Sequence, residues 1–206
     1  FSKTVNLVLV MNPIDGLKQH EHEYANRMAG LRVAAYLGEL GKSVEPNEVV
    51  SYETYGVKEG MEKYPNLPRV GSVQMLQSQG LLHDTYVYGV YMKQSLPTIL
   101  NPTELMDGAV LSGNCVSACD KNTSYHHLNN PVVADLLAQH GKTINFVGVI
   151  ITNENVYLAD KERSSDWSTK LATFLDLDGA LVSQEGFGNP DTDLIPFACV
   201  NSPVVL

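Results

Sequence analysis

Ile144-Asn-Phe-Val-Gly-Val-Ile-Ile-Thr152 is the clearest candidate for a buried strand in this chain. Its apolar residues run almost continuously instead of alternating with polar ones, which is typical of a parallel strand covered on both faces. A helical pattern from Val132 to His140 precedes it, with Pro131 in its first turn and Gly141 as its stop. A helix followed at once by a buried strand is the repeating unit of an α/β protein.

Other apolar segments continue this alternation in both directions. The predicted strands are Val5–Met11, Arg69–Gln77, Thr85–Tyr91, Asp107–Leu111 and Gly179–Val182. Helices are predicted from His20 to Leu37 and from Ser165 onward. In the second of these helices, Trp167, Leu171 and Phe174 have the spacing of a stripe that packs on a core. We therefore expect an α/β fold with a mainly parallel sheet and helices on both faces, in a single region over residues 1–206.

Composition narrows the class of protein. Of the 206 residues 44% are hydrophobic and 18% charged, which is enough apolar material for a sizeable core. The net charge of -9 argues against a nucleic-acid binder, which would carry a basic face. No apolar run approaches the roughly 18 residues of a membrane helix.

Three cysteines form no paired disulfide framework, so we expect a cytoplasmic protein. The chain starts without methionine, and we expect it to be an incomplete portion of a longer one.

The polar segment between residues 111 and 131 concentrates the reactive side chains of the chain. It contains Cys115, Cys119, His126 and His127. A polar loop after a strand is where an α/β protein commonly places its chemistry. Cysteine and histidine are metal ligands, and a cysteine beside a helix start and a lysine can be a reactive thiolate. Adjacent histidines seldom reach one ion together, which weakens the metal interpretation. From the residues alone, metal, redox or nucleophilic, and structural interpretations all stay open.

A second group of polar residues follows the predicted strand Arg69–Gln77. Gln77, Gln79 and His83 lie at or just after the end of that strand. Amide and imidazole groups at a strand end could hydrogen-bond a zwitterionic ligand, although such residues are equally common in ordinary turns. We regard these three residues as candidates for substrate binding.

Six long stretches together carry a resemblance to a known family. They are Ser2–Val10, Tyr64–Gly71, Met75–Gly89, Ser112–Pro131, Asn145–Ser164 and Glu185–Ile195. These stretches resemble the glycine/sarcosine/betaine reductase component B family, in which a proprotein supplies the alpha and beta subunits; the D-proline reductase proprotein is a relative. The resemblance covers residues 1 to 195.

The resemblance implies that the chain is cut between Asn114 and Cys115 and that Cys115 becomes a pyruvoyl group. The chemistry is consistent with these residues. The Cys115 thiolate would attack the Asn114 carbonyl, and β-elimination would leave dehydroalanine, which hydrolyses to a ketone. Such a reaction needs a base for the thiol, for which His126 and His127 are candidates. It also needs a donor to the oxyanion. Candidate donors are Ser112, Asn122, Thr123 and Ser124.

The resemblance also implies the reaction and the partners. The family reductively removes the amino group of glycine or its N-methylated relatives. A primary or secondary amine can form an iminium with the carbonyl, and a selenolate then attacks the α-carbon. This selenolate would come from the selenoprotein subunit of component B, working with selenoprotein A. No metal is expected, and Cys119 has no assigned role. The alternatives are an unprocessed scaffolding subunit and a Cys/His metal-binding protein.

Overall fold

The computed structural model describes residues 5, 7–78, 83–114 and 121–200, with the backbone alone at 83, 113, 114 and 198–200. The chain divides into two compact units, residues 1–50 and residues 51–206. None of the helices in the described ranges combines the length and apolar character that a membrane span requires. The single region predicted for residues 1–206 stays a prediction.

The first unit is built around one long helix. Helix α1, Gln19–Gly41, confirms the predicted helix and extends it at both ends. No residue of α1 is buried. The predicted strand Val5–Met11 is wrong: its described residues form no strand, and each large apolar side chain among them is at least 37% exposed. A strand requires a neighbour that takes up its backbone hydrogen bonds. No described residue pairs with this segment, so its apolar character alone does not make it a strand.

The second unit contains the remaining elements. Its strands are β1 Arg69–Gln77, β2 His83–Val87, β3 Val90–Tyr91, β4 Thr98–Leu100, β5 Val110–Asn114, β6 Asn145–Glu154 and β7 Gly179–Gln184. Its helices are α2 Val57–Lys63, α3 Pro102–Met106, α4 Ser124–Leu128, α5 Pro131–Gln139, α6 Leu158–Phe174 and α7 Asp191–Val200, and Met92–Gln94 form a 3-10 turn.

The larger sheet has the order β4-β6-β1-β7. Strand β1 pairs in parallel with both β6 and β7, whereas β4 pairs antiparallel with β6. This arrangement confirms the mainly parallel sheet. Helix α5 also confirms its prediction: Gly141, with a φ of 74°, follows its end.

A second, antiparallel sheet of order β3-β2-β5 is absent from the predictions. The predicted strand Thr85–Tyr91 is in fact a hairpin. Tyr88 and Gly89 have φ values of 49° and 76°, the backbone conformation of a tight two-residue turn between antiparallel strands. Strand β5 belongs to this antiparallel sheet. It leads into residues 115–120, the cysteine segment, which contains Cys115 and Cys119.

Two clusters of buried apolar residues lie on the two faces of the larger sheet. One joins residues of β1 and β6 to Leu105 of α3 and to Val133 and Leu136 of α5. The other joins residues of the same strands to Ala172 of α6 and Phe197 of α7. Every residue of β6 is buried. Helices therefore cover both faces, as expected, and β6 is the centre of the core.

The predicted packing stripe of α6 is wrong for two of its three members. Trp167 is 37% exposed and Phe174 is 73% exposed, and only Leu171 packs against the core. The buried face of α6 is mostly polar or small: Lys161, Ser164, Ser165, Ser168 and Ala172. Its polar groups are paired in part, since the Ser164 hydroxyl donates to Asn153 Oδ1 over 2.9 Å. Internal hydrogen bonds reduce the cost of burying a polar helix face.

Replacing Ile150 on β6 by alanine should destabilise the fold strongly. Ile150 is fully buried in the cluster under α6. Loss of the buried side chain and the cavity left behind should cost about 2–5 kcal/mol of the free energy of unfolding, measured by urea titration. Val90→Ala is the matched control, because Val90 is 58% exposed, and it should change stability by no more than about 0.5 kcal/mol. Equal effects from both variants would contradict the assignment of β6 to the core.

Candidate functional site

The carboxyl ends of the parallel strands meet at one edge of the larger sheet. The register pairs Gln77 of β1 with Glu154 of β6, and Met75 of β1 with Gln184 of β7. The residues at or just beyond these ends are therefore neighbours in space, although they are distant in sequence. In open α/β sheets this edge is where ligands usually bind.

Glu185, the first residue after β7, links the segments at this edge. It is only 3% exposed. Its Oε2 accepts a hydrogen bond from the backbone N–H of Gln77 over 2.8 Å, and its Oε1 accepts one from Asn122 over 3.0 Å. Its own backbone N–H donates to Oε1 of Glu154 over 3.0 Å. One buried side chain thus connects the end of β1 to the segment that follows the cysteines.

The two flanks of the cysteine segment lie close to the same edge. Cys115 and Cys119 lie outside the described residues. On one flank, the backbone of Asn114 ends β5 and pairs with His83 of β2. On the other flank, the buried Lys121 donates from Nζ to the carbonyl of Gln77 over 2.9 Å and also to the Thr85 hydroxyl. Residues 114 and 121 are therefore both tied to elements at the carboxyl end of β1.

The two candidate histidines occupy different environments, because neighbouring residues on a helix point in different directions. His126 is exposed, and its Nδ1 lies 3.1 Å from the Thr123 hydroxyl in the cap of its own helix α4. His127 is 1% exposed, and its Nε2 lies 3.4 Å from Oε1 of Glu185. Neither ring nitrogen of His127 makes a hydrogen bond with any described residue. His127 therefore has an unused ring nitrogen and a carboxylate beside it, which suits a general base.

The candidate oxyanion donors also differ in how they are used. The Ser124 hydroxyl accepts from the Ser112 backbone N–H over 2.9 Å, and Thr123 caps α4. The Ser112 hydroxyl is buried and has no hydrogen-bond partner among the described residues. Asn122 engages Glu185 through its backbone. Ser112 is therefore a candidate with a buried hydroxyl that no described residue uses.

The edge also holds an unusual concentration of buried charge. Glu154 is fully buried, and this burial, with the neighbouring Glu185 carboxylate, raises its pKa to about 9. Lys161 pairs with Asp193, and its Nζ also donates to the Asn189 carbonyl over 3.1 Å. Burial raises the pKa of Asp193, although the Lys161 pairing opposes the rise. Perturbed carboxyl groups grouped at a sheet edge are typical of functional sites.

A pocket of about 140 Å³ opens beside Glu154. Ser78, which follows β1, forms part of its wall, and the Ser78 hydroxyl donates to the Glu154 carbonyl over 3.1 Å. Lys93 and the residues around Tyr157 and Asp160 at the start of α6 line the rest. The pocket therefore lies between the ends of β1 and β6.

The substrate-binding candidates from the sequence stay predictions. Gln77 contributes its backbone to the edge, and its side-chain Oε1 is buried with no partner among the described residues. Gln79 lies outside the described residues, and His83 is described only in its backbone pairing with Asn114. Glu154 and Glu185 were not predicted from the sequence. Each is an acidic residue at the end of an apolar strand, and that position is the signal that could have identified them.

In the part of the chain that the structure describes, no group of three His, Cys, Asp or Glu side chains could hold a metal ion. Because Cys115 and Cys119 lie outside that part, the expectation about metals at the cysteine segment stays a prediction.

The sequence of this chain matches a known protein family. The family model for glycine/sarcosine/betaine reductase component B subunits matches residues 1–202. The chain is a member of that family. The match extends past residue 195, where the resemblance seen in the sequence ended. No solved structure gives a significant match to the chain.

Individual relatives agree with this assignment. The chain is 70% identical over 195 residues to the glycine reductase complex component B subunits alpha and beta of Peptoclostridium acidaminophilum, covering 95% of this chain and 46% of that protein. It is 60% identical over 195 residues to the sarcosine reductase complex component B subunit alpha of the same organism, again covering 95% and 46%. The D-proline reductase proprotein PrdA of Acetoanaerobium sticklandii is 24% identical over 163 residues, covering 74% and 25%. The chain spans about half the length of the first two relatives.

Replacing Glu154 by glutamine should change how stability depends on pH. The pKa of Glu154 is about 9 in the folded chain, against an ordinary value of 4.5. The raised pKa contributes to the stability of the folded state at pH values below 4.5. This contribution is lost progressively as the pH rises from 4.5 towards about 9. Glutamine stays neutral, so the variant should gain about 1.4 kcal/mol relative to the parent for each pH unit in that window.

Urea unfolding of both proteins at about pH 6 and about pH 8 measures this difference. The raised pKa of Asp193 cancels, because both proteins contain that residue. Glu62→Gln is the control, since the Glu62 side chain is 71% exposed on α2 and should show no such trend. Parallel pH profiles for the parent and Glu154→Gln would refute the buried, protonated state of Glu154.

Proposed function

We propose that this chain is the part of a component B subunit that contains the processing point, and that it supplies a pyruvoyl group from Cys115. The observation that carries the proposal is the match over 195 residues to glycine and sarcosine reductase component B proteins, which spans the Asn114–Cys115 bond. The proprotein name of the D-proline reductase relative also supports processing. The pyruvoyl carbonyl would make the amine of the substrate a better leaving group.

The residues at the sheet edge fit the requirements of processing. The thiol of Cys115 would lose its proton to a base and attack the Asn114 carbonyl, which converts the peptide bond to a thioester. His127, buried beside Glu185, is the preferred base. The unused hydroxyl of Ser112 is the preferred donor to the oxyanion, since it is two residues before Asn114. Elimination would then remove the Cα proton and break the Cβ–S bond, which frees the N-terminal part as a thiocarboxylate and leaves dehydroalanine. The imine tautomer of dehydroalanine would take up water and release ammonia to give the pyruvoyl group.

The substrate we propose is glycine or an N-methylated relative with a primary or secondary amine. The names of the two relatives support this class, and a pocket for a small molecule lies beside Glu154. The chain contains no selenocysteine. The nucleophile that attacks the α-carbon would come from the selenoprotein subunit of component B, and selenoprotein A would act with it. We place the complex in the reducing cytoplasm, where a selenolate persists.

Replacing Cys115 by alanine should abolish cleavage and carbonyl formation together, because one sulfur performs the attack and then leaves. Intact-mass analysis reports cleavage, and labelling with a hydrazide reagent reports the carbonyl. Cys119→Ala is the matched control and should retain both. A parent protein of uncleaved mass without a carbonyl would instead support the unprocessed scaffolding subunit. Labelling that persists in Cys115→Ala would place the carbonyl elsewhere.

Removing the preferred base should slow processing without changing its products. We expect His127→Gln to reduce the cleavage rate by about 10²–10⁴-fold, the usual contribution of a positioned base. His126→Ala should stay within a few-fold of the parent, because His126 is exposed and caps only its own helix. The rates come from time courses of cleavage, and circular dichroism checks that the buried substitution still folds. A larger effect at His126 would reverse the assignment.

A further inference from the structure

The pocket beside Glu154 has the size of a small organic molecule. Its volume is about 140 Å³, and a cavity of roughly 150 Å³ in another protein holds one benzene molecule. A ligand of about six heavy atoms therefore fits. Its walls come from the ends of two parallel strands and from the first turn of α6, so the main chain around it is held by the core.

Lys93 is held over this pocket by a buried amide. Asn153 Nδ2 donates to the Met92 carbonyl over 2.7 Å and to the Ser95 carbonyl over 3.2 Å. These bonds fix both ends of the 3-10 turn that carries Lys93. The ammonium of Lys93 makes no ion pair or hydrogen bond with any other described residue. Its charge is therefore available to a ligand.

Glu154 also lines the pocket, and one of its carboxyl oxygens is unused. Its side chain is fully buried, one oxygen accepts from the Glu185 backbone N–H, and Oε2 has no partner among the described residues. An unpaired polar atom in a buried position is costly and requires an explanation. Because burial and Glu185 raise its pKa to about 9, the carboxyl is protonated near neutral pH and can donate a hydrogen bond.

The charges around the pocket favour a ligand with both signs. Lys93 is cationic, and the start of α6 adds the positive end of a helix dipole. Asp160 supplies a negative charge, which Arg163 balances in part at 2.8 Å. A dianion would be repelled by the carboxylate of Asp160, and a simple cation would be repelled by the ammonium of Lys93. A zwitterion matches both signs without leaving net charge in the pocket.

We propose that this pocket binds the carboxylate of a small zwitterionic amino acid through the Lys93 ammonium and the Glu154 carboxyl, an assignment that rests on the proposed function for the identity of the amino acid as substrate. Asp160 lies where it can attract the ammonium. The two carboxylate contacts give the site its selectivity, because removing the carboxylate from the ligand leaves Lys93 and Glu154 unpaired again.

Calorimetric titration of the full chain with glycine tests the assignment. Glycine should bind, whereas glycinamide, which lacks the carboxylate, should bind about ten-fold more weakly or worse. Lys93→Gln should weaken glycine binding by about 10- to 100-fold, the range for a hydrogen bond to a charged group. Lys58→Gln is the matched control, since the Lys58 side chain is 91% exposed on α2 outside the pocket.

Two substitutions at Glu154 separate hydrogen bonding from packing. Glu154→Gln keeps a donor and should bind glycine within a few-fold of the parent. Glu154→Leu has no donor and should lose about ten-fold or more. The pocket assignment would be overturned if Lys93→Gln left the affinity for glycine unchanged, or if glycine and glycinamide bound with equal affinity. The Lys93→Gln variant should fold, because the Lys93 side chain is exposed.

The outcome of this test is distinct from that of the proposed function. Hydrazide labelling of the Lys93→Gln protein should match that of the parent, because Lys93 has no part in processing. With partner components added, the same variant should raise the KM for glycine more than it lowers kcat. A labelled protein that turns over glycine with an unchanged KM in Lys93→Gln would overturn the pocket alone. A protein without carbonyl that still binds glycine through Lys93 would support the pocket and refute the processing.

Discussion

The parallel pairing of β1 with β6 is the constraint on which the rest of the second unit depends. It matches Gln77 with Glu154, so that both strands end at the same edge, and β7 joins that edge on the other side of β1. The apolar residues of β1 and β6 supply both core clusters. The same pairing that builds the core therefore also places Ser78, Glu154 and Glu185 together.

Placing charge at this edge has a cost that the core must offset. Glu154, Glu185, Lys161 and Asp193 are all nearly inaccessible, and burial of ionisable groups is unfavourable even when they are paired. Their hydrogen bonds join β1, β6, β7 and the segment after the cysteines. Departures from a simple apolar core are expected where a protein holds a functional site. The edge combines contacts that hold Lys121 and Asn122, which follow the cysteines, with a pocket of about 140 Å³.

Particular residues show which elements could be predicted. Strand β1 was predicted with its observed bounds, and β6 was found because a run of consecutive apolar residues requires cover on both faces. Helix α3 was missed, although Asn101 accepts from the Thr103 N–H and Glu104 caps the Asn101 N–H. That capping box was readable in the sequence. The polar buried face of α6 could not be predicted, because Ser164 on that face finds its partners, Asn153 and Asn155, at and just after the end of another strand.

The sequence by itself determined the α/β class, the buried strands β1 and β6, and the family, because these depend on local pattern and on residue identity along the chain. Only the tertiary structure decided which histidine lies beside Glu185 and which lysine reaches the pocket. It also decided that β5 joins an antiparallel sheet and that Val5–Met11 forms no strand among the described residues. These outcomes depend on contacts between residues that are far apart in sequence. The environment of each side chain or strand is set by its burial and by the residues that it contacts, and neither can be read from the local sequence.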